Sequence, residues 1–100
     1  MSNYSDMPSE DREISALSLP PHSTEAEQSV LGGLMLENSA WDRIADVVSG
    51  EDFYRHEHRL IFRAIANLIN ESRPADVITV QESLERNEEL EAAGGFNYLI

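Results

Sequence analysis

His56, Glu57 and His58 stand side by side, and two imidazoles next to a carboxylate are the ingredients of a divalent-metal site. Helical geometry argues against that use. Residues i and i+2 face different directions, whereas helical metal motifs place their histidines at i and i+4. No third ligand stands at a usable spacing, so solvated or capping histidines are expected, with no metal and no cofactor bound by the chain. His22, directly after two prolines, reads as a cap-region contact.

Paired carboxylates recur at Glu25 with Glu27, Glu51 with Asp52 and Glu88 with Glu89. Acid–base catalysis needs a carboxyl with a shifted pKa in a cleft, and nothing in these polar runs signals burial. There is no cysteine and no lysine, and all seven basic residues are arginine. Thiol nucleophiles, thiolate zinc sites, Schiff-base chemistry and a lysine-bearing phosphate loop are thereby excluded from these 100 residues. No G-x-S-x-G nucleophile elbow occurs. No catalytic residue is expected.

Arg55, Arg59 and Arg63 recur every fourth residue and form one strip along a helix. This strip is the feature suited to an acidic partner or a phosphate. The plainer expectation is salt bridging to Glu51, Asp52 or Glu71. Trp41, Phe53, Tyr54, Phe62, Phe96 and Tyr98 have the ring faces to stack bases, but stacking platforms are interleaved with cations. The net charge is −12, the reverse of a basic nucleic-acid footprint. Strong direct DNA binding is not expected, and the acidic surface favours solubility and protein partners.

Helices must position these residues. Thr24 with Glu27 reads as a capping box, with Ser23 as an alternative cap. Ala26, Val30, Leu31, Leu34 and Met35 follow at helical spacing. Gly32-Gly33 interrupts that helix at about 1 kcal/mol per glycine, which close packing of another helix, favoured here, or a bend would explain. Asn38 reads as the cap of a short helix that turns Trp41, Ile44, Ala45 and Val48 inward and ends at Ser49-Gly50. Phe53 and Tyr54 are both expected to point into the core.

A third helix is predicted from His56 to Ser72, with Ile61, Ala64, Ile65, Leu68 and Ile69 buried and Leu60 and Phe62 at its margins. Arg73-Pro74 stops it. Asp76 and Thr79 are both candidate caps for a fourth helix, Thr79 pairing with Glu82, and Val80 and Leu84 face inward. Leu90, Ala92 and Ala93 make one helical turn before Gly94-Gly95. The predicted core is Val30, Leu31, Leu34, Trp41, Ile44, Phe53, Ile61, Ile65 and Leu68. Were Trp41 fully buried, Trp41→Ala would cost about 3–5 kcal/mol.

No strand-like alternation and no internal repeat appear. The fold class is all-α, a small bundle of four to six short helices. Residues 1–19, with Asp6, Glu10, Asp11 and Glu13 against Arg12, read as a flexible acidic tail. Ile14, Ala16, Leu17 and Leu19 are the tail residues able to dock. Pro20-Pro21 then blocks helix propagation, and residues 20–100 form the helical domain. Phe96, Tyr98, Leu99 and Ile100 begin an apolar pattern that is still developing where the chain stops, so the domain reads as incomplete at that end. Neither a signal peptide nor the ~20-residue apolar run of a membrane span is present, which fits a cytoplasmic protein.

From Pro20 onward the chain resembles the N-terminal domain of DnaB-type replicative helicases. The resemblance rests on PPHSTEAEQSVLGGLM at residues 20–35, Asp52-Phe53-Tyr54-Arg55, His58-Arg59-Leu60-Ile61-Phe62, Asp76-Val77-Ile78-Thr79-Val80 and Gly94-Gly95-Phe96-Asn97-Tyr98-Leu99. It implies a helical head followed by a helical hairpin, within a ring-shaped homohexamer whose collar domains pair as a trimer of dimers. It further implies that primase, and in some bacteria a helicase loader, docks on the collar. ATP and magnesium would belong to a separate motor domain that drives 5′→3′ DNA unwinding. The chain stops before the hairpin that the resemblance leads one to expect. The alternatives are a stand-alone helical adaptor or regulator of a helicase or primase, and a metal-dependent hydrolase using His56, Glu57 and His58.

Overall fold

A computed structural model describes residues 23–99, and every described element is a helix or a turn. Helix α1 (Thr24–Leu36) leads through a 3-10 turn (Asn38–Ala40) into α2 (Trp41–Ala45). A second 3-10 turn (Gly50–Asp52) precedes the long α3 (His56–Asn70), followed by α4 (Val77–Arg86) and the single-turn α5 (Phe96–Leu99). The all-α expectation holds for the described residues. The tail of residues 1–19, Pro20-Pro21, His22 and Ile100 lie outside them.

Helix α3 organises the bundle because α1 and α4 both pack against it. Its inward surface is therefore wider than one stripe. Leu60 and Phe62, expected at the margins, are buried together with Ile61, Ala64, Ile65 and Leu68. Arg59, Arg63, Asn67 and Asn70 make the exposed ridge. The helix ends at Asn70, two residues before the predicted stop. Ser72 takes φ 60° and the Arg73 N–H donates to the Leu68 carbonyl at 2.9 Å, a left-handed closure of the helix.

Several caps differ from expectation. Ser23, not Thr24, caps α1, its Oγ accepting from the Ala26 N–H at 3.2 Å. Glu27 is unavailable for a capping box because it is buried and bonded elsewhere. At α4, Asp76 is the cap and Thr79 its reciprocal partner. Asp76 Oδ1 accepts from the Thr79 N–H at 2.9 Å, and Thr79 Oγ1 accepts from the Asp76 N–H at 2.8 Å. Glu82 takes no part in that box, because Thr79 is already inside the helix.

Asn38 does not cap α2. Its side-chain amide donates to the Leu34 and Ala75 carbonyls at 2.7 and 2.8 Å and accepts from the Ala75 N–H at 2.8 Å. It thereby staples the end of α1 to the approach of α4.

Val30, Leu31, Leu34, Ile44, Phe53, Ile61, Ile65 and Leu68 lie in the core with Val48, Val80, Leu84 and Ala93. Trp41 is only half-buried, laid on Phe62 with ring centroids 5.2 Å apart. Ala45 is exposed, since the short α2 turns only Ile44 fully inward. Tyr54 is also exposed while Phe53 is sealed, because the extended backbone there sends successive side chains to opposite sides. The glycine pair is not a packing notch either: a Cβ at Gly32 or Gly33 would meet nothing within 4 Å. After α4, Leu90 and Ala93 form the expected turn, which closes through Gly94 and Gly95 at φ 101° and 78°.

Candidate functional site

Three features assemble from the residues singled out above. The first is a buried polar relay. Glu27 occupies the α1 position that Val30, Leu31 and Leu34 continue, and His58 occupies the matching inward position of α3. Both side chains are almost wholly shielded from solvent. His58 Nδ1 lies 2.6 Å from Glu27 Oε1, and His58 Nε2 lies 2.5 Å from the Tyr98 hydroxyl on α5. A carboxylate only accepts, so the imidazole donates from Nδ1. The Gln28 side-chain amide donates to the Tyr98 oxygen at 3.2 Å, so Tyr98 is held from two sides.

Glu27 also accepts from the backbone N–H of Tyr54 at 2.6 Å and of Arg55 at 3.4 Å. Burial pushes its pKa up, but the hydrogen bond from His58 and the two backbone donors outweigh that and hold the carboxyl below its ordinary value. Carboxylate-oriented imidazoles serve hydrolases, but this one spends its second nitrogen on a half-buried tyrosine. The relay joins α1, α3, α5 and the turn before α3. Among the described residues, no buried side-chain nitrogen or oxygen is left without a partner.

His56 is exposed as expected, but His58, expected to be solvated or capping, is sealed in the core between Glu27 and Tyr98. Among the described residues, no group of three or more His, Asp or Glu side chains converges so as to hold a metal ion.

The second feature is the arginine strip, with partners other than those expected. Arg55 Nη2 donates to Glu57 Oε2 at 2.8 Å, which raises the guanidinium's pKa. Glu57 is held below the ordinary carboxylate range by its own N–H at the helix start and then by Arg55. Arg59 Nε donates to the Phe53 carbonyl at 2.6 Å. Arg63 reaches Glu89 only at 3.9 Å. Asp52 instead accepts from the Ser49 N–H at 2.7 Å, and Glu71 lies 3.6 Å from Arg73. Arg59 and Arg63 overhang a cleft of about 470 Å³ lined also by Gly50, Glu51, Phe62 and Ala66.

The third feature is an apolar groove of about 490 Å³ between the end of α1 and the start of α4, lined by Met35, Leu36, Val77, Ile78 and Leu99. Leu36 and Ile78 are its exposed members, at 90% and 57%. Among the described residues, Trp41 and Phe53 each pack on Phe62 and Tyr98 stacks on His58, so these rings form no base-stacking row.

This architecture matches a known family. The model of the DnaB-like helicase N-terminal domain covers residues 19–100. The chain belongs to that family. It is 51% identical over 87 residues to the replicative DNA helicase DnaB of Buchnera aphidicola subsp. Schizaphis graminum, covering 87% of this chain and 19% of that protein. Against the replicative DNA helicase DnaB of Haemophilus influenzae it is 44% identical over 99 residues, covering 99% of this chain and 21% of that one. The crystal structure of the N-terminal domain of DnaB helicase from Mycobacterium tuberculosis superposes with a TM-score of 0.77 at 40% identity, covering 81% of this chain and 59% of that chain. The chain thus spans about a fifth of the length of the curated DnaB relatives it matches.

The relay is the feature that sequence reasoning missed. Its signal was two polar residues standing on apolar stripes, Glu27 before Val30 and Leu31, and His58 before Ile61.

Proposed function

We propose that this chain is the interaction and assembly domain of a replicative DNA helicase, contributing to a hexameric collar and offering docking surface to primase and, where one exists, a loader. The observation that carries the reading is the DnaB-family match over residues 19–100. The geometry supports a docking role. Helices α1, α3, α4 and α5 are locked together by a satisfied core, while Leu36 and Ile78 stand out of the apolar groove. A contiguous exposed apolar patch marks an interaction surface. ATP hydrolysis with magnesium, 5′→3′ unwinding and DNA translocation belong, in this reading, to a motor outside these residues. No described helix is long and apolar enough to cross a membrane, and a cytoplasmic location accords with a replication role.

The test compares the longer helicase polypeptide carrying this domain with a version lacking residues 20–100. Native mass spectrometry and primase pull-down should show that the deletion loses hexamer stability and primase binding while ATPase activity survives. Unchanged rings and primase binding after deletion would refute the assignment. A reading frame that ends soon after Ile100 would favour a motorless adaptor instead.

A further inference from the structure

We infer that the cleft beneath Arg59 and Arg63 is a docking site for a short acidic peptide carrying an apolar side chain. This goes beyond the collar reading and is tested on the chain by itself.

Two guanidiniums stand over this cleft in a chain of net charge −12. Arg55, the third member of the strip, is already committed to Glu57 at 2.8 Å. Among the described residues, Arg59 is held through Nε, by the Phe53 carbonyl at 2.6 Å, which fixes the guanidinium plane and leaves its terminal nitrogens for an incoming acceptor. The Arg63 side chain is 60% exposed, and Glu89 lies 3.9 Å from it, beyond a hydrogen bond. These are two planar donors pre-set for carboxylate geometry at the rim of a site.

The lining selects among anions. Phe62 and Ala66 offer an apolar wall, and the volume of about 470 Å³ falls within the range of ligand-sized clefts. An apolar side chain fits there while flanking carboxylates reach the two guanidiniums. A nucleic-acid track instead needs several free cations along a backbone, unflanked by carboxylates. Here Glu51 lines the same cleft and Glu89 stands beside Arg63. Those carboxylates repel a polyanion, yet they leave room for a short segment that turns its acids toward α3.

The experiment is fluorescence anisotropy on the whole chain, using fluorescein-labelled Glu-Glu-Leu-Phe-Glu-Glu, its all-Gln counterpart and an oligo-dT strand as probes. The acidic peptide should bind with a dissociation constant on the order of 10–100 μM, and the Gln peptide at least about tenfold more weakly. Arg63→Glu should weaken the acidic peptide about tenfold or more, and Arg63→Lys about threefold, since a point charge replaces the fork. Glu51→Gln should tighten it about twofold by removing a repulsive neighbour. Because Arg63 and Glu51 are exposed, thermal melts of these variants should match the parent. Equal binding of the two peptides, no peptide binding at millimolar concentration, or indifference to Arg63→Glu would each overturn the inference. Oligo-dT binding tighter than the peptide and dependent on Arg63 would overturn it in favour of a phosphate site.

Discussion

His58 Nδ1 and Glu27 Oε1 meet 2.6 Å apart in the sealed core, although 31 residues separate them in the chain. Removing one member of such a pair leaves the other buried and under-bonded, a loss of about 1–3 kcal/mol. Glu27→Ala and His58→Ala should each lower the urea midpoint by that order. The double variant should cost less than the sum, with a coupling of about 1–3 kcal/mol. Additive losses would mean that the two groups do not depend on each other.

The same pair sets how the fold responds to acid. Glu27 has a folded pKa below its ordinary value of 4.5, so near that pH the unfolded chain binds more protons than the folded one. Its contribution is therefore complete above pH ~4.5 and is lost as pH falls through the lower folded value. Glu57, lowered as well, adds to the trend in the same direction. Urea stability measured from pH 6 to pH 3 should decline, and Glu27→Gln should flatten that decline. An equally steep decline in Glu27→Gln would assign the acid sensitivity to other carboxylates.

The helical periods placed Glu27 and His58 on inward faces, so their burial was legible in principle. Their pairing was not, because periodicity says nothing about which helix faces which. The capping choice at α1 failed for the same reason: a box at Thr24 required Glu27 to be free, and a partner 31 residues away had taken it. Asn38 was expected to cap α2 and instead bonds Ala75, 37 residues on, a partner invisible to local rules. The arginine strip was legible as an i, i+4 ridge, whereas the cleft beside it exists only once the Gly50–Asp52 turn folds against α3.

Phe53 and Trp41 separate complete burial from partial burial. Phe53 is fully enclosed, with its ring 5.0 Å from Phe62. Phe53→Ala should cost about 3–5 kcal/mol. Trp41 keeps part of its surface in solvent, so Trp41→Ala should cost roughly 1–3 kcal/mol, less than full burial would have implied. Paired urea melts decide the order, and a larger loss at Trp41 would mean that the indole is covered in solution.

The glycines give substitutions of opposite sign. Gly33 lies inside α1, and a Cβ there meets nothing within 4 Å. Gly33→Ala should therefore stabilise the chain by about 0.5–1 kcal/mol, through helix propensity alone. Gly94 sits at φ 101°, and a Cβ on it would stand 2.8 Å from both Cβ and Cγ of Tyr98. Gly94→Ala should cost at least about 1–3 kcal/mol in backbone strain. It should also push Tyr98 away from His58, visible as a shift of the His58 imidazole resonances that Gly33→Ala does not produce. A destabilising Gly33→Ala would reveal that this face of α1 is covered in solution, and an unperturbed His58 in Gly94→Ala would show that α5 can move without disturbing the relay.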